Sequence, residues 1–160
     1  MTQIKAKNIE EAVLKIDGLN EDSLEKLSET HVLAQKYVVG YILSSAIEFE
    51  NDELLELLIY YFNIFSEAIA NQGVKTEKVS DEYIDEFQDE YIQTLDEYME
   101  KEDEDLIASL CNQPVMVSFL LNEIKLEDEN GETLADNTAS HLFMVGVALI
   151  ALLNRSISNE

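Results

Sequence analysis

Leu142-Phe143-Met144-Val145-Gly146-Val147-Ala148-Leu149-Ile150-Ala151-Leu152-Leu153 is the stretch on which the fold turns. None of these residues carries a charge or a side-chain hydrogen-bonding group, in a protein whose formal net charge is −24. A helix that is apolar on every side has to be enclosed, either by other helices or by lipid. A bilayer span takes roughly 20 apolar residues, and this run stops sooner, at Asn154 and Arg155. The reading is a central helix wrapped by amphipathic neighbours, with no membrane segment.

Composition points the same way. A chain of 160 residues, 46% of them apolar, has the length of a single domain (residues 1–160) and the means to bury a core. One proline (Pro114) and five glycines leave room for long helices. They are too few for a sandwich or barrel, which turns every 8–12 residues or so. The expected fold is all-α: one bundle of five to seven helices around the apolar C-terminal helix.

Periodicity fills in the bundle. Asn8 and Glu11 have capping-box spacing, and Ile9, Ala12, Val13 and Ile16 form a short apolar stripe that ends at Asp17-Gly18. Asp22 and Glu25 offer a second capping box. Leu24, Leu27, His31, Ala34, Val38, Tyr41, Ser45 and Phe49 then follow at steps of three or four and predict one long helix over 22–50. Within it Gly40, Ser44 and Ser45 are small enough for a kink or for close approach of another helix at Gly146. A helix over 54–69, apolar almost all round, follows the turn Asn51-Asp52-Glu53, and Lys75, Thr76 and Lys78 form a polar linker. Ser80 caps a helix over 81–100 with the stripe Ile84, Phe87, Tyr91, Leu95 and Tyr98. A short helix to Cys111 and another opened by Pro114 over 115–124 come next. Residues 127–131 form a loop with an Asn130-Gly131 turn, Asp136 or Asn137 caps the last helix, and Ser156 to Glu160 are expected to fray.

The charge balance limits partners. With 34 Asp and Glu against 10 Lys and Arg, nucleic-acid phosphates and anionic membranes repel the chain, and basic proteins or divalent cations attract it. The single cysteine, Cys111, leaves no intramolecular disulfide and fits a reducing compartment. No apolar segment follows the basic residues near the N-terminus, so no signal peptide is expected and the expected location is cytoplasmic. Acidic residues upstream of Cys111 would raise its thiol pKa, against a nucleophilic role. Both histidines lack the Glu-x-x-His partner of a di-iron bundle: Ser28 precedes His31 by three and Thr138 precedes His141. His31 should be packed and hydrogen-bonded, and His141 should lie in the first turn of the last helix. Aligning Gly131 with the glycine of a calcium loop puts Leu126 and Asn137 at ligand positions, so an acidic turn explains that segment better.

The anomaly is residues 81–105, where 13 acids face one lysine, Lys101, giving −12. Glu82, Glu86 and Glu90 stand at i, i+4, i+8, as do Asp81, Asp85 and Asp89. Each like-charge pair of this kind costs about 0.2–0.5 kcal/mol, so the helix carries on the order of 1–2 kcal/mol of self-repulsion. Mixing lysine with glutamate would have kept it solvated at no such cost. The leading expectation is a non-enzymatic binding module of adaptor, inhibitor or nucleic-acid-mimic type. It would dock a basic protein through Glu82, Asp85, Glu86, Asp89, Glu90 and Glu97, without cofactor. A face that serves only solubility is the plain alternative.

A second alternative starts from Glu53-x-x-Glu56, 25 intervening residues and Glu82-x-x-Asp85. This pattern resembles the paired carboxylates of the all-α nucleotide pyrophosphohydrolases. The resemblance implies a magnesium cluster of those four carboxylates on two facing helices, activating water against a nucleoside triphosphate. Finally, three segments (32–47, 54–70 and 142–153) are apolar around most of their circumference. This leads to the expectation of a two-fold homodimer that buries the excess.

Overall fold

The structure, a computed structural model, describes residues 2–157. It is all-helical, with eight α-helices among the described residues: α1 (Ala6–Asp17), α2 (Glu21–Ala34), α3 (Lys36–Glu48), α4 (Asp52–Asn71), α5 (Asp81–Lys101), α6 (Glu104–Cys111), α7 (Pro114–Ile124) and α8 (Asp136–Ser156). The apolar run lies at the centre of α8. Every residue from Val145 to Leu153 is buried, and α3, α4, α5, α6 and α7 pack around it. At 21 residues α8 is long and apolar enough to cross a membrane by length and composition, but most of its apolar window is inside the bundle. The second axis is α4, whose Leu54, Leu58, Phe62, Ile64, Phe65 and Ala68 are fully buried and which packs against α1, α2, α3 and α8. Buried side chains from both helices join one continuous core.

Eight helices replace the expected five to seven because the stripe over 22–50 is broken at Gln35. This residue leaves the helical region (φ −134°, ψ 49°) and separates α2 from α3. No proline or glycine marks the break. Its cause is tertiary. The buried Gln35 amide donates through Nε2 to Glu77 O (2.9 Å) and accepts through Oε1 from Val79 N (3.0 Å), so it serves two backbone groups of the strap between α4 and α5. Two more glutamines at helix ends do the same. Gln72, after α4, accepts from Lys5 N and donates to Gln3 O. Gln113, before α7, accepts from Ile4 N and donates to Thr2 O and Asn154 Oδ1. Non-helical backbone that approaches the core needs such partners, and these amides supply both a donor and an acceptor.

Several helix ends differ from expectation. Lys5, without a side-chain bond, precedes α1, while Asn8 is buried and bonds Gln72 Oε1 at 2.9 Å. Asn20, not Asp22, caps α2 by accepting from Ser23 N. Ala135 precedes α8 without a side-chain cap, which places His141 in the second turn, stacked on Phe49 at 3.7 Å. Asn51, Ser80 and Pro114 take the expected places at the starts of α4, α5 and α7. Around Asn130-Gly131 there is a loop held by Asp128 Oδ1, which accepts from the amides of Asn130 and Glu132. Ser156 and Ile157 do not fray: both are buried, Ile157 bridges Thr76, and Ser156 O accepts from Glu77 N at 2.7 Å. The rest of that tail, 158–160, lies outside the described residues.

Gly146 faces α7, not Gly40. A Cβ there would lie 2.6 Å from Leu120 Cδ2 and 3.2 Å from Cδ1, and Leu120 is fully buried. Gly146→Leu should therefore cost about 1–3 kcal/mol by overpacking, despite the gain in helix propensity. In a Leu120→Ala background the same change should be markedly cheaper, because the two positions share one space. Equal penalties in denaturant titrations of both backgrounds would show that some other contact holds Gly146.

One buried charge ties three helices. Glu67 of α4 accepts from Lys15 Nζ of α1 at 2.6 Å and pairs with His31 Nε2 of α2 at 2.8 Å. Burial alone would raise the Glu67 pKa. The hydrogen bonds and charges of Lys15 and His31 outweigh it and hold the carboxyl below the ordinary carboxylate range. Its stabilisation is therefore complete above the unfolded value of about 4.3 and is lost as pH falls through the folded one. Between roughly pH 5 and pH 3, the unfolding midpoint of the native protein should fall more steeply than that of Glu67→Gln. Parallel pH curves would remove Glu67 from the acid response.

Candidate functional site

α5 is amphipathic in the plainest way. Ile84, Phe87 and Tyr91 are buried, with Leu95 and Tyr98 packed behind them. Phe87 stacks on Tyr91 at 5.3 Å, and the Tyr91 hydroxyl donates to Met144 O of α8. With this stripe fixed inward, the helical period sends the acids outward. Glu82, Asp85, Glu86, Asp89, Glu90 and Glu97 are all exposed, so all six expected residues share one solvent-facing surface. Glu82, Glu86, Asp89 and Glu97 surround its midline, while Asp85 and Glu90 stand on opposite flanks. Lys101 pairs with Glu97 at 2.8 Å across one turn. At the other end Arg155 of α8 lies 4.7 Å from the Tyr83 ring.

The Asp85 flank opens into a cleft of about 330 Å³ between α5 and α3. Asp81 and Asp85 form one wall, and Tyr37, Tyr41 and Glu48 form the other. Gly40, Ser44 and Ser45 line the α3 side. Here the small residues of α3 leave space open, because a Cβ on Gly40 would meet no atom within 4 Å. Burial pushes the Tyr41 phenol up, with Glu48 adding to the effect and the Ser45 hydroxyl opposing it, so Tyr41 stays a neutral donor. Lys36 Nζ lies 4.9 Å from the Tyr37 ring centroid, so this aromatic face already carries a cation. On the same flank of α5, further along, Ile92 and Met99 are 49% and 72% exposed. The α3 wall is absent from the sequence reading. Its trace is the alternation of Tyr37 and Tyr41 with Gly40 and Ser44, which only the placement of α3 beside α5 makes meaningful.

The carboxylates of the magnesium alternative are not gathered. Glu53 and Glu56 are exposed on α4, and Glu82 and Asp85 are exposed on α5. The main neighbours of α5 are α3, α6 and α8, so the two carboxylate pairs do not sit on facing helices. Among the described residues no three of His, Cys, Asp and Glu come together as metal ligands. Cys111 is fully buried, with its thiol pKa pushed up to about 12. Burial is the cause there, rather than the acidic neighbours, and Sγ donates to Val147 O at 3.5 Å. Compared with protein-family models, with curated proteins and with solved structures, the chain matches none.

Filling the cleft should not harm the fold. A glycine inside an exposed helix costs about 1 kcal/mol relative to alanine, and nothing packs on Gly40. Gly40→Leu should leave stability unchanged or raise it by about 0.5–1 kcal/mol, the reverse of Gly146→Leu. A lowered thermal midpoint would mean that the α3 backbone is in closer contact than its open surroundings indicate.

Proposed function

We propose that this protein is a non-enzymatic binding module that takes a basic protein partner on the outer face of α5 and in the cleft between α5 and α3. The observation that carries the reading is the coincidence of exposed carboxylates with an open, tyrosine-walled cleft on the same helix. Carboxylates alone attract any cation. With Lys36 already over Tyr37 at the rim, a cleft with Tyr41 on one wall and Asp81 and Asp85 on the other suits an arginine or lysine side chain, whose stem packs on the Tyr41 ring while its head pairs with the acid. Ile92 and Met99, exposed beyond the cleft, favour a partner that is amphipathic as well as basic. Tolerance of the repulsion along α5 has a reason on this reading. Like charges in one row raise the field that steers a basic partner into contact.

Stability and capture should move in opposite directions. Glu82→Gln, Glu86→Gln and Glu90→Gln together relieve two i,i+4 repulsions, about 0.2–0.5 kcal/mol each, and should stabilise the free protein slightly. The same triple variant should capture its basic partner more slowly at low salt. The difference should shrink as ionic strength rises and the Debye length falls from about 10 Å at 0.1 M to about 3 Å at 1 M. Retention of the same proteins at the same association rates by wild type and variant at low salt would reduce the acidic face to a solvated surface.

A further inference from the structure

Of the eight helices α2 is the one that buries no residue. Leu24, Leu27 and Val32 are packed only partly against the core, and Leu33 is 65% exposed. Its main neighbours are α4 and its own continuation, α3. The contact with α4 includes two polar pairs. His31 Nε2 meets Glu67 Oε2 at 2.8 Å, and Asn63 Nδ2 donates to Ser28 Oγ at 3.1 Å. On the same strip of α4, Asn63 Oδ1 and Ser66 Oγ are buried without a partner. Burying an unpaired polar atom costs free energy that contact with water returns, so these two atoms weigh against the closed position of α2. Beneath the C-terminal end of α2 lies a cavity of about 150 Å³, lined in part by His31, Gln35, Ser66, Thr76 and Ser156. Both ends of α2 are articulated. Gly18 and Leu19 lead into it outside any helix, and it ends at the non-helical Gln35. The Gln35 side chain is fastened to Glu77 and Val79, so the pivot belongs to the body of the protein.

We propose that α2 is a hinged flap, which swings off α4 as a unit about Gln35 while the rest of the bundle stays folded. His31 is its latch. Glu67 is the catch, and Lys15 of α1 holds it charged and in place whether the flap is open or shut. Opening widens this solvent-facing cavity and exposes Asn63, Ser66 and Glu67 to water, which satisfies the two orphaned atoms. This gating does not depend on the acidic face of α5, which lies on another helix.

Native-state hydrogen exchange at neutral pH, resolved to α2, α4 and α8, tests the flap. In wild type the interior amides of α2 should exchange at least about tenfold faster than those of α8, at a rate insensitive to low denaturant, the signature of a local opening. His31→Ala removes the latch yet leaves Glu67 paired with Lys15, and should speed α2 about tenfold more with α8 unchanged. Ser66→Ala removes an orphaned hydroxyl and should do the reverse, slowing α2 alone. Exchange of α2 that tracks α8 as denaturant rises would overturn the proposal. So would equal acceleration of every helix by His31→Ala, or faster α2 exchange in Ser66→Ala.

Discussion

A helical run of twelve uncharged residues can persist in a chain of net charge −24 only if the charged parts surround it at a distance, and enclosure of the 142–153 run of α8 is that constraint. Each fully buried Leu or Ile contributes roughly 1.5–3 kcal/mol, and Leu149, Ile150, Leu152 and Leu153 are all buried. Any one of them matches the self-repulsion of about 1–2 kcal/mol along α5. This inequality lets the protein carry a dense acidic helix at all. It also explains why α5 turns its aromatic residues onto α8 and its acids away: Tyr91 reaches the Met144 carbonyl from the inner face, while Glu82 and Glu86 stand outside.

Enclosure leaves a second problem at the helix junctions, where backbone passes near the core without helical partners. Gln35, Gln72 and Gln113 answer it in the same way, each giving an acceptor and a donor to main chain from a distant part of the sequence. Through them the N-terminal segment is fastened to the ends of α4 and α7, and the strap before α5 to the break between α2 and α3. The strap in turn bridges the end of α8 at Thr76 and Ile157. The start of α5, and with it the mouth of the acidic cleft, is thus placed by the same junction that leaves α2 free to hinge.

The three segments that look too apolar for a monomer are covered unequally. α8 is buried through its centre, α4 over half its length, and α3 keeps Tyr37 and Ile47 exposed. Much of the apolar excess that suggests a homodimer is thus taken up within one chain, by more and shorter helices than the stripe implies. What stays uncovered includes Leu14 of α1 and Leu33 of α2 as well as Tyr37 and Ile47 of α3 and Ile92 and Met99 on the outer flank of α5. On the α5 and α3 surface, exposed apolar residues and exposed carboxylates therefore meet where a basic partner is proposed.

Elements governed by local periodicity were legible in the residues alone: the enclosed helix at 142–153, the inward stripe and outward acids of α5, the turn at Asn51-Asp52-Glu53 that opens α4, the cap at Ser80, and Pro114 opening α7. In each, hydrophobic spacing or a short-range hydrogen bond decides the matter within a few residues. Tertiary structure decided the break at Gln35, the burial of Ser156 and Ile157, the packing of Gly146 on Leu120, and the cleft that sets Tyr37 and Tyr41 opposite Asp81 and Asp85. Those depend on which segments meet across the bundle, and a side-chain amide that finds backbone 42 residues away leaves no local mark. Gly40 and Gly146 make the point together. Both are glycines inside apolar helices, yet one opens a cleft and the other closes a contact, because only the neighbouring helix distinguishes them.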